Sequence, residues 1–554
     1  MSMGGQKLLI SMIVATLGAM PIMQTASAQS NVAPTPGSVI APVDKPVVQP
    51  KSAPENPLKS SDDDGFKPPA SSTKIEVRQF KLSGNTLFGD EVLLAVIQRY
   101  IDTPITLEQL YQAADEVQRF YRQQGYLLAS VYVPAQKVSS GTVRLEIIEG
   151  RISAILIDGD LDSYRPDFLL ELFGTANLGD VVTQVLLEER ILLLNDLPGL
   201  AAKAVIAPGS EYGTSDIVIQ VEEDRSAVVL RANNYGRESL GEARVEAGWL
   251  YVNLFAQGDQ LNLSAIVAED SRMNFLRADY DALLNSLGTR VGASISAFEY
   301  DVDTDAIDLS GVLDGDGTNL RFFVNHPLIR KLRNQLDFTA ALRFNETSED
   351  GDLAFSTDTT EVELLDLSLH WQPLHRNGSF SSLVATFTSN FEDNPDGLKD
   401  DAVKAKFAVD YSFILPFAGT WFWQLGADLV YSDEPLPDIE RYRLGGPGNV
   451  RAYPATEIAG DRGARASLDL GKRFSLSAKT SMITRLFVDA GEVERIIPFA
   501  GEDSTETLSG YGAGVLFDFG GKHALDIEVA TPTSDLDSSD GKETRFWLNY
   551  TVAL

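Results

Sequence analysis

Cysteine is absent from the 554 residues, and with it go disulfide frameworks, cysteine zinc sites and thiol catalysis. Histidine is scarce: His326, His370, His375 and His523 are the only four, and no two stand at the i, i+4 spacing of a helical metal pair. Basic residues are outnumbered, 46 Lys and Arg against 79 Asp and Glu, for a net charge of −33. So acidic a chain repels phosphates, which excludes nucleic acid as a partner. Past residue 23 no apolar run reaches the roughly 20 residues of a spanning helix. Should the chain cross a membrane, only a closed barrel remains, because lipid leaves open backbone groups unsatisfied. A composition of 44% hydrophobic and 23% charged residues excludes wholesale disorder.

What is present begins with an address. Lys7 precedes an apolar run from Leu8 to Met23, and Ala26-Ser27-Ala28 supplies the small-x-small pattern of a cleavage site. Residues 1–28 therefore read as a secretory signal peptide, the run being short for a membrane anchor. Residues 29–73 hold nine of the 25 prolines together with Asp62-Asp63-Asp64. Proline at that density removes donors and opposes a long helix, so the segment reads as an extended linker.

Two tandem units of mixed pattern follow. In residues 74–150, Val77 and Phe80 mark a strand ending at Gly84-Asn85, and Val92, Leu93, Val96, Ile97 and Tyr100 keep helical spacing. Thr106-Leu107-Glu108-Gln109 is a capping box that opens a second helix, with Gly125 placed to end it. Strands close the unit around Val131–Val133 and at Val143, Leu145 and Ile147. Residues 151–223 repeat the order strand, helix, helix, strand, strand, with helices at Pro166–Phe173 and Val185–Leu194.

Residues 224–554 alternate apolar and polar with period two. Leu336, Phe338, Ala340, Leu342 and Phe344 share one face, as do Trp421, Trp423, Leu425, Ala427, Leu429 and Tyr431. Phe546, Leu548, Tyr550, Val552 and Leu554 end the chain in the same manner. This is the signature of antiparallel strands with one apolar face. A soluble sandwich alternates too, but 331 residues exceed one sandwich core, and the signal and strand-end aromatics favour an outer-membrane β-barrel. Sixteen strands would leave about 21 residues for each strand and its connection.

From residue 74 onward the chain resembles the outer-membrane transporters of two-partner secretion, the ShlB/FhaC/HecB-like haemolysin secretion/activation proteins. "FKLSGNTL" at Phe80–Leu87, "YRQQGY" at Tyr121–Tyr126 and Glu149-Gly150 are similar to the first POTRA domain of that family. "LNDLPG" at Leu194–Gly199 and "PGSEYGTSD" at Pro208–Asp216 are similar to the second. "RLGGPGNVRAY" at Arg443–Tyr453 resembles the family's sixth extracellular loop, with Gly445, Gly446 and Gly448 in its glycine positions. Phe487-Val488-Asp489-Ala490-Gly491 resembles the partner motif on the barrel wall.

The resemblance implies two periplasmic α+β POTRA domains before a sixteen-strand barrel. It also implies a loop–barrel lock built of Arg451, Tyr453, Asp489, Phe487 and Gly491, in which Arg451 pairs with Asp489. Considered from the residues alone, Arg451 on an exposed loop with Asp489 facing water is an equal alternative. Ala452 stands where the family has glycine, which questions a backbone needing positive φ. Leu554 replaces the favoured terminal phenylalanine, and residues 29–73 leave little room for the family's plug helix.

Catalytic and metal readings fail. Asp301, Asp303 and Asp305 imitate a calcium loop, but Ala306 and Val312 break its pattern. Gly445-Gly446-Pro447-Gly448 lacks the Lys and Ser/Thr of a phosphate loop, and no nucleophile elbow appears. Gly510–Gly514 reads as a close-packed or kinked strand. No cofactor is expected, and the expected function is a protein-export pore and not an enzyme. The resemblance supplies its partners: a large exoprotein with an N-terminal secretion domain, the lipid outer membrane of a Gram-negative bacterium, and the barrel-assembly machinery during biogenesis. A protein insertase of the same superfamily is the alternative, and a passive porin has no use for the tandem units. The mechanism does not explain the acidity; lumen and loop carboxylates that tune pore selectivity are one reading of it.

Overall fold

The computed structural model describes residues 58–60 and 74–554, apart from 139–140, 175–178, 182, 212, 305–312, 352–357, 391–404 and 499–502. The signal peptide and most of the proline-rich segment lie outside the described residues. So do Asp305, Ala306 and Val312 of the calcium-like loop. The described residues divide into two compact units, one up to Glu223 and one from Asp224 to Leu554.

In the first unit, β1 (Leu58–Ser60) comes from the proline-rich stretch. Then follow β2 (Lys74–Val77), β3 (Gln79–Ser83), α1 (Asp90–Val96), β4 (Thr103–Thr106), α2 (Leu107–Gln123), β5 (Ser130–Tyr132) and β6 (Thr142–Ile148). The first strand is thus two, broken at Arg78, and the first helix gives way to a 3-10 turn at Gln98–Tyr100. β4 has no apolar alternation and was not legible from periodicity; it pairs antiparallel with β2. The capping box forms as drawn. Thr106 Oγ1 accepts from Gln109 N at 3.2 Å, and Gln109 Oε1 accepts from Thr106 N at 2.9 Å. One face of α2 buries Leu110, Ala113, Ala114, Val117 and Tyr121 against the sheet β3-β6-β5.

The order recurs as β7 (Arg151–Asp158), α3 (Pro166–Phe173), α4 (Gln184–Asn195), β8 (Leu200–Pro208) and β9 (Thr214–Glu223). Its sheet runs β1-β8-β9-β7, so Leu58–Ser60 adds a parallel strand at the β8 edge. The segment read as linker therefore includes three residues of sheet, too few for any pattern to show.

Each copy ends on a glutamate that ties down the loop after its first strand. Glu149 accepts from Thr86 N at 2.6 Å, Leu87 N at 2.8 Å, the Tyr121 hydroxyl at 3.0 Å and the Thr86 hydroxyl. Glu223 accepts from Asp162 N at 3.0 Å, Ser163 N at 3.1 Å and the Ser163 hydroxyl. Burial alone would push the Glu149 carboxyl up. The bonds from Thr86, Leu87 and Tyr121 outweigh it and hold the group below its ordinary value of 4.5. A depressed carboxyl stabilises the fold above its unfolded pKa, and that contribution is lost as pH falls through the folded value. Glu149→Gln is accordingly expected to cost about 1–3 kcal/mol at neutral pH. Amide exchange at Thr86 and Leu87 in the full chain reads it: the gap to wild type closes below the ordinary carboxyl range, and an equal gap at every pH refutes the assignment.

The second unit is a barrel. Its wall comprises β10 (Ser226–Asn233), β11 (Arg244–Val252), β12 (Gln260–Ala268), β13 (Met273–Leu283), β14 (Arg290–Asp301), β15 (Leu313–Lys331), β16 (Asn334–Gly351) and β17 (Asp358–Pro373). It continues with β18 (Phe380–Asn390), β19 (Lys406–Phe417) and β20 (Trp421–Ser432). A hairpin of β21 (Tyr442–Leu444) and β22 (Ile458–Gly460) stands apart from the wall. The wall resumes with β23 (Arg462–Ser475), β24 (Thr480–Glu494), β25 (Thr505–Phe519), β26 (His523–Pro532) and β27 (Arg545–Ala553). All sixteen wall pairs are antiparallel, and β10 closes on β27 from Val229 opposite Ala553 to Asn233 opposite Asn549. Leu554 extends that seam: its N–H donates to Val228 O at 2.9 Å.

Leu342, Trp421, Trp423, Leu429, Tyr431, Phe546 and Tyr550 lie exposed on the outer face, where a hydrocarbon layer covers apolar side chains. Lumen carboxylates are paired, Asp337 with Arg330 at 2.6 Å and Asp526 with Arg485 at 2.6 Å. On the outer face of β14–β17, by contrast, exposed carboxylates stand directly opposite one another: Glu299 and Asp316, Asp301 and Asp314, Asp314 and Asp350, Glu346 and Glu361. Part of the acidity therefore faces outward, beyond the apolar band, where solvent screens the repulsion.

Candidate functional site

The segment 433–461, between β20 and β23, folds back against the inner wall. Gly445 and Gly446, both with φ of +107°, turn the chain where any Cβ would meet the other limb: Pro454 O at 2.4 Å from Gly445, and Ala455 Cα at 2.9 Å from Gly446. Gly448, at φ +75°, offers its carbonyl to Arg465 Nη1 at 2.6 Å. These turns deliver Asn449, Val450, Arg451, Ala452 and Tyr453 to the tip, all buried.

Arg451 meets Asp489 of β24 through a two-pronged contact, Nε to Oδ2 at 2.9 Å and Nη2 to Oδ1 at 2.7 Å, and its backbone N–H donates to Oδ2 at 3.1 Å. The same guanidinium reaches Asp469 of β23 at 3.0 and 2.8 Å and Glu528 of β26 at 3.4 Å. Its carbon lies 3.4 Å from the centre of the Phe487 ring, a cation–π contact. Trp547 Nε1 donates to Arg451 O at 2.7 Å. Tyr453 is fully buried; its hydroxyl shares a hydrogen with Ser534 Oγ at 2.5 Å and donates to Leu536 O at 3.1 Å. Gly491 contributes space: a Cβ there would sit 2.8 Å from the Leu444 side chain.

Arg451, Tyr453, Phe487, Asp489 and Gly491 thus converge on one loop–wall contact, and Gly445, Gly446 and Gly448 shape the loop that reaches it. Ala452 keeps a negative φ, so a glycine is not required there, and its methyl packs toward Gly510 of β25. Sequence reading missed Asp469, Glu528 and Trp547. Each faces the lumen by the period-two rule, but only the barrel's closure brings Asp469 and Glu528 to the same guanidinium and Trp547 to the carbonyl of the same residue. It missed the loop rim as well. Arg237 Nη1 donates to Thr456 O at 2.8 Å, and Glu457 accepts from Ser539 N at 2.5 Å and Oγ at 2.6 Å.

The histidines are dispersed on hydroxyl partners, His326 with Thr289 at 2.8 Å, His370 with Ser382 at 3.0 Å and His523 with Tyr550 at 2.9 Å. Among the described residues one acidic group has metal-like spacing, Glu238, Glu242 and Asp540. The Lys542 ammonium already lies within 4 Å of all three carboxylates. What the site offers is a strong mechanical attachment: the buried Arg451 guanidinium held by three carboxylates, one of which, Glu528, also meets Arg485 at 3.0 Å.

Residues 75–150 match the POTRA domain, ShlB-type, and residues 213–517 match the haemolysin secretion/activation protein ShlB/FhaC/HecB family. The heme/hemopexin transporter protein HuxB of Haemophilus influenzae is 22% identical over 93% of this chain and 94% of its own. The hemolysin transporter protein ShlB of Serratia marcescens is 25% identical over 83% of each. The solved structure of CdiB from Escherichia coli superposes with a TM-score of 0.70 at 18% identity, covering 100% of this chain and 99% of that one, a likeness of fold. With its closed sixteen-strand wall, its POTRA domain and a family match over more than half its length, the chain belongs to the ShlB/FhaC/HecB haemolysin secretion/activation family, the outer-membrane transporters of two-partner secretion.

Proposed function

We propose that this protein is the pore through which one large exoprotein crosses the outer membrane, its tandem domains in the periplasm capturing the unfolded chain and the barrel conducting it to the surface. The observation that carries the reading is a closed wall whose interior holds its own loop on a buried ion cluster, with Arg451 at 2.7 Å from Asp489 and 2.8 Å from Asp469. A loop fixed at its tip can make room without leaving the barrel. Capture rests on sheet edges. Strand addition supplies backbone hydrogen bonds without demanding a particular side-chain sequence, and the β8 edge already takes a strand of this chain, Leu58 opposite Ala204. Folding of the exoprotein outside then biases its movement outward.

The test is export itself. Deleting the gene and profiling culture fluid and cell surface is expected to remove one large exoprotein, restored by the wild-type chain. Loss of many barrels from the outer membrane with no exoprotein missing establishes the insertase instead. A finer outcome concerns capture. Lys59→Pro removes a backbone donor and disfavours the β1 pairing, so the full-length variant is expected to bind the exoprotein's secretion domain more tightly than wild type, measured by surface plasmon resonance. Equal or weaker binding excludes the β8 edge as a capture site.

A further inference from the structure

The loop is held at a second place, on another arc of the wall. Its short 3-10 turn, Asp438–Glu440, lies before the hairpin β21–β22 and buries the Glu440 side chain. Arg343 of β16 grips Glu440 with Nη1 to Oε1 at 2.7 Å and Nη2 to Oε2 at 3.3 Å. Lys406 of β19 binds the same carboxylate and reaches the Glu440 carbonyl at 3.4 Å. Arg343 is itself fixed from behind by Asp366 of β17, Nε to Oδ2 at 2.6 Å, and Asp366 takes a hydrogen bond from Thr388 of β18 at 2.7 Å. Next to the turn, Leu436 and Ile439 pack on Val362 and Leu364 of β17.

The two attachments sit eleven residues apart in the loop yet on different strands, β16–β19 for Glu440 and β23, β24 and β26 for Arg451. Their chemistry also differs. Arg451 meets three carboxylates, only one of them, Glu528, shared with another cation, Arg485, and losing any one contact leaves two. Glu440 is a single carboxylate serving two cations, and if it withdraws, Arg343 keeps Asp366 as a full partner and Lys406 is the one wall cation that loses its carboxylate. Detaching the stem therefore strands less buried charge than detaching the tip.

Resting on the reading of the barrel as an export pore, we propose that Glu440 is a positioning residue that holds the loop's stem across the lumen at rest, and that this attachment releases for substrate while the Arg451 tip stays bound. Glu440 touches no substrate in the closed state; it acts through the loop it places.

Two measurements on the full chain test this. In planar lipid bilayers, Glu440→Gln is expected to raise the open probability of purified protein by about tenfold over wild type, with folded mobility on unheated gels unchanged. Unaltered gating overturns the stem's role at rest. The natural absence of cysteine makes the second measurement specific. The pair E440C/K406C, closed with a short bismaleimide in intact cells, is expected to halt export in proportion to the crosslinked fraction, and the uncrosslinked pair to export. Full export through the crosslinked stem overturns the proposal. If wild type itself exports nothing, the pore reading fails and the conductance result still decides whether Glu440 holds the loop.

Discussion

Arg451→Ala is expected to lower export by at least about a hundredfold while the barrel still folds and inserts, because removing one member of a buried ion pair costs about 3–5 kcal/mol. The loss is at the upper end for a physical reason. Without the guanidinium, Asp469, Asp489 and Glu528 face one another with Arg485 as the neighbouring cation, at 3.0 Å from Glu528. Repulsion among them does not merely free the tip; it drives the wall strands' side chains into the space the tip occupied. Asp489→Asn leaves Arg451 two carboxylates and should cost less. Arg451→Lys keeps the charge but replaces a planar fork by a point charge that cannot engage two carboxylates bidentately. The expected order of export is therefore wild type, then Asp489→Asn and Arg451→Lys, then Arg451→Ala. Protease sensitivity of the 433–461 loop in purified protein should follow the reverse order. Wild-type export together with a protected loop in Arg451→Ala refutes the attachment.

The elements legible in the sequence were those in which one short-range rule suffices. The Thr106–Gln109 capping box and the Gly125 stop bracket α2 within a few residues, and both act through groups three or four positions apart. The alternation from Trp421 to Tyr431 repeats six times along one strand, so chance does not imitate it. β4 and β1 escaped because four and three residues at a sheet edge carry no periodicity, and Pro104 and the proline-rich context argued against strand. In the site, the motif residues Arg451 and Asp489 were recoverable through resemblance. Asp469 and Glu528 were not, since what selects them among many lumen-facing acids is the closure of β23 to β26 around one side chain. Glu440 was hidden for the same reason: Arg343 and Lys406 lie 97 and 34 positions away.

The glycine run in β25 gives the second large effect. Gly510 and Gly512 face the lumen, and each leaves room for a neighbour: a Cβ on Gly510 would lie 2.4 Å from the Ala452 methyl, and one on Gly512 would lie 2.4 Å from the Phe487 ring. Those neighbours are the two parts of the attachment, the loop tip and the aromatic plate beneath Arg451. Gly510→Ala should therefore push the tip off its seat. Overpacking of this kind costs about 1–3 kcal/mol, and here the displaced groups carry Arg451 with them, so the guanidinium contacts lengthen together. Ala452→Gly removes the opposing methyl and is expected to restore part of the loss in the double variant. Recovery stays incomplete because Thr531 O lies 2.9 Å from the same added Cβ. Export and loop proteolysis across the four variants form a double-mutant cycle, and the coupling must be favourable to the pair. Additive effects show that Gly510 acts on the strand alone, without reference to the tip. Favourable coupling shows that Ala452 is tolerated beside Arg451 because the wall opposite it has no side chain.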